Sequence, residues 1–299
     1  MEKKKIITGI RKIFNRNYIS LYIGGGVVLI IILSAIFAPW ITPYDPIKMA
    51  LTNRLKPPGF ISTEGLFPHI FGTDQLGRDL FTRIIFGARI SLIVGILSVF
   101  VSSIFGTVFG LLAGYFGGKL DSVIMRFTDI QMSLPFILIA LLVVSLLGPS
   151  LRNIVIVFAI TSWYIYVRMA RASTLSFKNC EWVEAARSIG ASNFRIMRLH
   201  VFPHIINPLL VLASFDMSRI IVTEAALGFL GLGVPPPTPT WGNMLSDGRE
   251  YIQDAWWIST FPGIALMILV LGINTLGDSL RDLLDPTLRK LSEGPTQMN

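Results

Sequence analysis

The sequence predicts an all-α membrane protein with six transmembrane helices. Three observations carry that prediction. First, 52% of the 299 residues are hydrophobic and only 15% are charged, whereas a soluble domain carries about a quarter charged residues. Second, apolar runs recur at 19–38, 90–115, 134–147, 154–167, 205–232 and 255–276. About 20 apolar residues cross the hydrocarbon layer; the third run is shorter and begins inside a preceding helical segment. Third, lysine and arginine collect on alternate connections. The first tail holds Lys3, Lys4, Lys5, Arg11, Lys12 and Arg16, and the last holds Arg281, Arg289 and Lys290. Lys119 and Arg126 follow the second run, and six basic residues lie within 168–203. The short connections of the other side hold only Arg152 and Arg249. Positive charge favours the cytoplasmic side, and the long 40–86 connection obeys that rule weakly. Six spans with both termini cytoplasmic satisfy the pattern.

The net charge of +8 is therefore read as a bilayer effect, with no nucleic acid as partner. The single cysteine, Cys180, excludes a disulfide framework and a multi-cysteine metal site; it reads as a small residue at a helix start.

The chain divides into three parts. Residues 1–86 hold the basic tail, the first span and a long outer connection. Residues 87–280 hold the remaining spans and a polar island at 179–203. Residues 281–299 form a cytoplasmic tail. A cleaved signal peptide would have a shorter apolar core, about 7–15 residues, followed by a small-residue cleavage site; here Pro39, Trp40 and Pro43 follow. Gly24, Gly25 and Gly26 mark close helix contact. The 40–86 connection is rich in proline and glycine, and loops of that length are functional or disordered. At its end, Asp74 or Asp79 with Arg78 can cap and pair the start of the next helix. In the second span Gly106, Gly110, Gly114 and Gly118 recur every four residues, a ridge along which another backbone can approach. Gly118-Lys119 resembles part of a phosphate loop, but Ala113 and Leu120 break the pattern, so the chain shows no ATP site.

The island reads NCEWVEAARSIGASNFRIMRLHVFP, residues 179–203. Asn179 can cap a helix, with Glu181 in the first turn at the positive end of the dipole. Trp182, Ala185, Ala186 and Ile189 fall at helical spacing and form an apolar stripe. Gly190 suits the C′ position. Ser192 can cap a second helix with a stripe of Phe194, Met197 and Val201, stopped by Pro203. Two short amphipathic helices in an elbow can dock against another protein; they can equally pack on this chain's own helix ends or on headgroups.

The fifth span carries Asp216, Arg219 and Glu224. Asp or Arg at a helix centre costs about 2.5–3.5 kcal/mol on insertion scales, so these residues should avoid lipid. Asp216 and Arg219 can neutralise each other across one turn. The cluster is either a structural ion pair or part of a route for a polar solute, and Glu224 favours the route because it has no partner at helical spacing.

Glu184-Ala185-Ala186, Gly190 and Pro203 match the EAA loop of importer-type ABC transporter permeases, with both spacings kept. His200 and Phe202 occupy positions where the general pattern has isoleucine and leucine. The HVFP form resembles the peptide and nickel branch, although His204 stands where that branch often has asparagine. FGTDQLGRDLFTRIIFGARISL at 71–92, EAALGFLGLGVPPPTPTWGNML at 224–245 and FPGIALMILVLGINTLGDSLRDLLDP at 261–286 look like the second permease subunit of dipeptide, oligopeptide and nickel transporters. The resemblance covers about residues 19–290. It implies the type I ABC importer permease fold in a prokaryotic cell membrane. It also implies a homologous second permease, two cytoplasmic ATPases and an extracytoplasmic solute-binding protein. The island would be the coupling element: Glu184 would contact an ATPase, Ala185 and Ala186 would allow close approach, and Gly190 would form the elbow. The substrate would be a di- or oligopeptide, with a nickel or other metal chelate as the alternative. No cofactor is implied.

Two other classes remain at this stage. An ion-gradient transporter would use Asp216, Arg219 and Glu224 and need no ATPase. A membrane enzyme would need a metal site or a nucleophile–base pair; His69, His200 and His204 are too scattered for the first, and no such pair is evident.

Overall fold

The computed structural model describes residues 16–62 and 67–284, with side chains from residue 19 onward. The charge pattern at Lys3, Lys4, Lys5, Arg11, Lys12, Arg289 and Lys290, and the Arg16 side chain, lies outside the described residues.

Apolar stretches become helices because a backbone in hydrocarbon must satisfy its own polar groups. The first helix, α1 (Arg16–Ile36), is followed by the one-turn α2 (Ala38–Ile41). Only Gly24 of its three glycines is tightly packed: a Cβ there would stand 2.9 Å from the Gly272 carbonyl oxygen, whereas one at Gly26 would meet nothing.

The long connection is ordered where it is described. Strands β1 (Phe60–Ile61) and β2 (Pro68–His69) pair antiparallel, with Phe60 opposite His69. The His69 ring is buried and stacks on Tyr44 at 4.5 Å between centroids and on Phe60 at 6.1 Å. Both predicted acids act. Asp79 caps α3 (Leu80–Phe116) by accepting from the Thr82 N–H at 2.7 Å, and Asp74 accepts from Arg78 Nε at 2.6 Å. Because the cap sits at Asp79, α3 begins well before the apolar run at 90–115 and crosses the expected boundary at residue 86.

A sharp turn at Gly117 leads into α4 (Gly118–Ser133), which is separated from α5 (Phe136–Leu147) by an 85° bend. Leu134 is extended, with φ −90° and ψ 123°, as the residue before a proline prefers. The third apolar run is thus α5, and it forms a span of ordinary length only together with α4. Next come α6 (Leu151–Phe177), capped by Ser150, and α7 (Glu181–Ser188). The short α8 (Asn193–Ile196), a wide π turn at Met197–Val201 and α9 (Phe202–Phe229) run on without a break. Thr240 caps α10 (Trp241–Arg249), and α11 (Trp257–Leu284) closes the described chain. Five of these stretches are long and apolar enough to cross a membrane, and the bent pair makes six.

Pro203 does not stop the helix, contrary to the sequence expectation. It falls directly after the π turn, whose wider spiral relieves the clash between the proline ring and the preceding turn.

The bundle is organised on α3, which packs most extensively along α6. The glycine ridge explains the closeness. A Cβ on Gly106 would lie 2.4 Å from the Trp163 carbonyl oxygen, one on Gly110 2.4 Å from that of Val167, and one on Gly114 2.7 Å from Thr174 Cβ. Gly118 is a correction: it lies past the end of α3 with φ +58° and open space around its Cβ position, so it serves the turn and not the ridge. A second contact joins α1 to α11, and α10 packs between α9 and α11. The long connection is fastened to the bundle where α11 begins. Trp257 Nε1 donates to the Thr73 carbonyl at 3.1 Å, and Phe71 stacks on Phe261 at 4.3 Å.

Candidate functional site

The island is an elbow whose parts have identifiable causes. The α7 N-cap is Cys180, extended at φ −71° and ψ 149° with no side-chain hydrogen bond to the helix. The expected cap at Asn179 is therefore corrected: α6 runs as far as Phe177, and the following turn ends one residue later than the cap chemistry suggested. Glu181 and Glu184 occupy the first turn and Arg187 the last, in line with the helix dipole. At the other end Gly190 has φ +85°. Its N–H donates to the Arg187 carbonyl at 3.0 Å, and the Ala191 N–H donates to that of Ala186 at 3.1 Å. That pair of bonds is the Schellman arrangement. Ser192 then caps α8, accepting from the Arg195 N–H at 3.4 Å.

The faces of α7 divide. Val183 and Ala186 are buried with Ile196, Val201 and Ile205 against α6 and α9. Ala186 thus belongs to the inner face, a correction to the expected stripe, because the elbow turns that side towards the bundle. Trp182, Glu184, Ala185 and Ile189 are exposed, Ile189 at 86%, and Phe194 of α8 is exposed beside them. An exposed isoleucine, tryptophan and phenylalanine around one carboxylate make a surface suited to a partner.

The elbow is braced. Lys178 Nζ donates to the Gly114 carbonyl at 3.0 Å, and Tyr115 Oη lies 3.0 Å from Asn193 Oδ1. Arg171 forms a two-point pair with Asp121 of α4 at 2.5 and 2.6 Å. On its other flank Trp182 packs against the His204 ring at 4.7 Å and the His200 ring at 6.3 Å. The two histidines are therefore part of the elbow, while His69 lies in β2 of the long connection. No cluster of three or more metal-ligating residues occurs among the described residues.

The second candidate lies along α9. Asp216 Oδ1 accepts from Arg219 Nη2 at 2.6 Å and from Nε at 3.0 Å, and Tyr166 of α6 donates to Asp216 Oδ2 at 3.0 Å. Arg219 Nη2 also donates to Ser162 Oγ at 2.8 Å. The Asp216 side chain is 1% exposed and that of Arg219 44%. Sequence reasoning found the pair and missed its second half. Ser162 and Tyr166, four apart in an apolar span, carried the signal: two polar side chains on one helix face. Glu224 stands elsewhere. A helix turns about 100° per residue, so Glu224 points about 140° away from Arg219. It is fully buried, accepts from Ser91 of α3 at 3.0 Å, and its Oε1 has no partner among the described residues. Glu224 therefore lies on a different face of α9 from the Asp216–Arg219 pair and finds its partner on α3.

Residues 106–290 match the family described as binding-protein-dependent transport system inner membrane component. The chain belongs to this family. Residues 11–58 of the permease match the N-terminal transmembrane domain of oligopeptide transport permease C. The permease is 46% identical to the di/tripeptide transport system permease protein DppC of Pseudomonas aeruginosa (strain UCBPP-PA14), over 88% of this chain and 86% of the relative. It is 45% identical to the dipeptide transport system permease protein DppC of Escherichia coli (strain K12), over 88% and 87%. Among solved structures, one of the MetNI methionine ABC transporter in inward-facing conformation superposes with a TM-score of 0.58. The match covers 69% of this chain and 98% of that one at 20% identity. The fold is thus that of a type I ABC transporter permease, a multi-pass membrane protein.

Proposed function

We propose that the permease forms half of the translocation path of an ATP-driven importer for di- or tripeptides. A homologous permease would supply the other half. Two cytoplasmic ATPases would supply the force, and an extracytoplasmic binding protein would deliver the solute. Both termini and the elbow are cytoplasmic in this reading, as the lysine and arginine pattern of the connections favours. The elbow is the coupling element. Trp182, Glu184, Ala185 and Ile189 meet a groove of one ATPase, and Gly190 holds the bend. Motion of that groove passes through Lys178–Gly114 and Arg171–Asp121 to α3, α4 and α6, shifting the bundle between inward- and outward-facing states. Asp216 and Arg219 lie on the solute route, while Glu224 holds α9 against α3.

The observation that carries the proposal is the unpartnered apolar face of a capped and braced elbow, on a chain 45–46% identical to two peptide permeases. Reconstitution tests it. In proteoliposomes holding both permeases, both ATPases and the binding protein, dipeptide uptake should require ATP. Uptake by the permease without ATPases, driven by an ion gradient, would overturn it. So would uptake of a nickel chelate in place of peptide.

A further inference from the structure

Arg219 is built as a recognition group. Its Nε and Nη2 are held by Asp216 and Ser162, and Asp216 is held in turn by Tyr166. The guanidinium is therefore fixed before any ligand arrives. Its Nη1 makes no hydrogen bond among the described residues, and the side chain is 44% exposed. Nη1, with its two N–H groups, is thus left without a partner on a half-exposed side chain within the membrane-spanning α9. Phe215 lies one turn before it on the same helix face and lines a cavity of about 430 Å³. Met169 of α6, Asn207 and Val211 of α9 and Arg281 of α11 are also in its wall. From Asn207 to Arg219 the helix rises about 18 Å, so the cavity and the arginine together span roughly half of the bilayer.

We infer that Arg219 is the contact for a carboxylate, and that the cavity below it takes the apolar side chains of the same solute, a short peptide with a free C-terminus. This inference rests on the peptide-importer reading and adds to it the end of the peptide that is read. Asp216 offsets part of the charge of Arg219, so the site offers charge-assisted donors without a full unpaired cation. Such a weakened site suits passage, because a solute must also leave. Arg281 at the cytoplasmic side of the cavity offers the carboxylate a second guanidinium on its way out.

The test uses the assembled transporter in inside-out vesicles without the binding protein, so that recognition by that protein does not enter. In a Cys180→Ser background, a Val211→Cys variant reports occupancy of the cavity through its rate of thiol labelling. Leu-Leu should slow labelling, and its C-terminal amide should need about tenfold more for the same protection, as expected for one charge-assisted contact. Arg219→Gln should remove that difference, and Arg219→Lys, which keeps a cation beside Asp216, should retain part of it. Equal protection by acid and amide, or none by either, overturns the inference. So does a difference that survives in Arg219→Gln. Peptide uptake by the complete wild-type transporter is measured alongside. Its absence sinks the importer reading, whereas uptake with equal protection sinks only the role of Arg219.

Discussion

Asp79 uses its two oxygens for two separate tasks. Oδ2 caps α3 and Oδ1 holds the buried His69 ring at 2.8 Å. Losing an N-cap costs about 0.5–2 kcal/mol, and an unpaired buried donor about 1–3 kcal/mol. Asp79→Ala should therefore lower the detergent-solubilised permease's stability by roughly 2–4 kcal/mol, with Asp79→Asn losing less. A Tm unchanged in Asp79→Ala would contradict the double role. The cap was legible in the sequence, because capping is a relation between neighbours. His69 as its second partner was not, since the pairing depends on the hairpin that brings β2 back to the start of α3.

At the scale of elements, the α3–α6 contact is governed by the glycine ridge. Gly110→Ala would put a Cβ 2.4 Å from a carbonyl oxygen that belongs to a helix and cannot move alone. Overpacking of this kind costs about 1–3 kcal/mol, and thermal unfolding should show it. Gly26→Ala, where a Cβ meets nothing, should leave stability unchanged or raise it. Equal effects of the two substitutions would mean that the ridge is not what sets the approach. Gly190 makes a different case: there is room for a side chain, but φ is +85°. Gly190→Ala should cost roughly 1–2 kcal/mol of local strain and loosen the elbow, read as lower ATP-dependent uptake with the bundle still folded. The period-four glycines were visible in the sequence. That Gly118 leaves the ridge was not, because the end of α3 is decided by the turn at Gly117.

At the scale of the whole molecule, the proposed coupling runs through the elbow. Glu184 is exposed and its side chain makes no hydrogen bond or ion pair among the described residues, so Glu184→Lys should insert and fold normally. In the assembled transporter it should abolish dipeptide uptake and the rise in ATPase activity that peptide and binding protein produce. Uptake at the wild-type rate would remove Glu184 from the coupling surface. Ile189→Cys in a Cys180→Ser background should label with a membrane-impermeant maleimide from the cytoplasmic side only, and assembly with the ATPases should protect it. Labelling from the outer side would invert the topology and end the proposal.

Composition and local periodicity determined that this chain spans a membrane and roughly where. They also marked the polar elbow and its bend at Gly190, because amphipathic spacing and cap chemistry are written among residues a few positions apart, while its start moved from Asn179 to Cys180 and Pro203 did not end it. The tertiary structure decided which side chains meet. It gave Asp216 to Tyr166 and Glu224 to Ser91, put Ala186 inside the elbow and Ile189 outside it, and carried the chain through Pro203 without a break. Those outcomes belong to helix packing, which joins residues distant in sequence and fixes which face of each helix is covered.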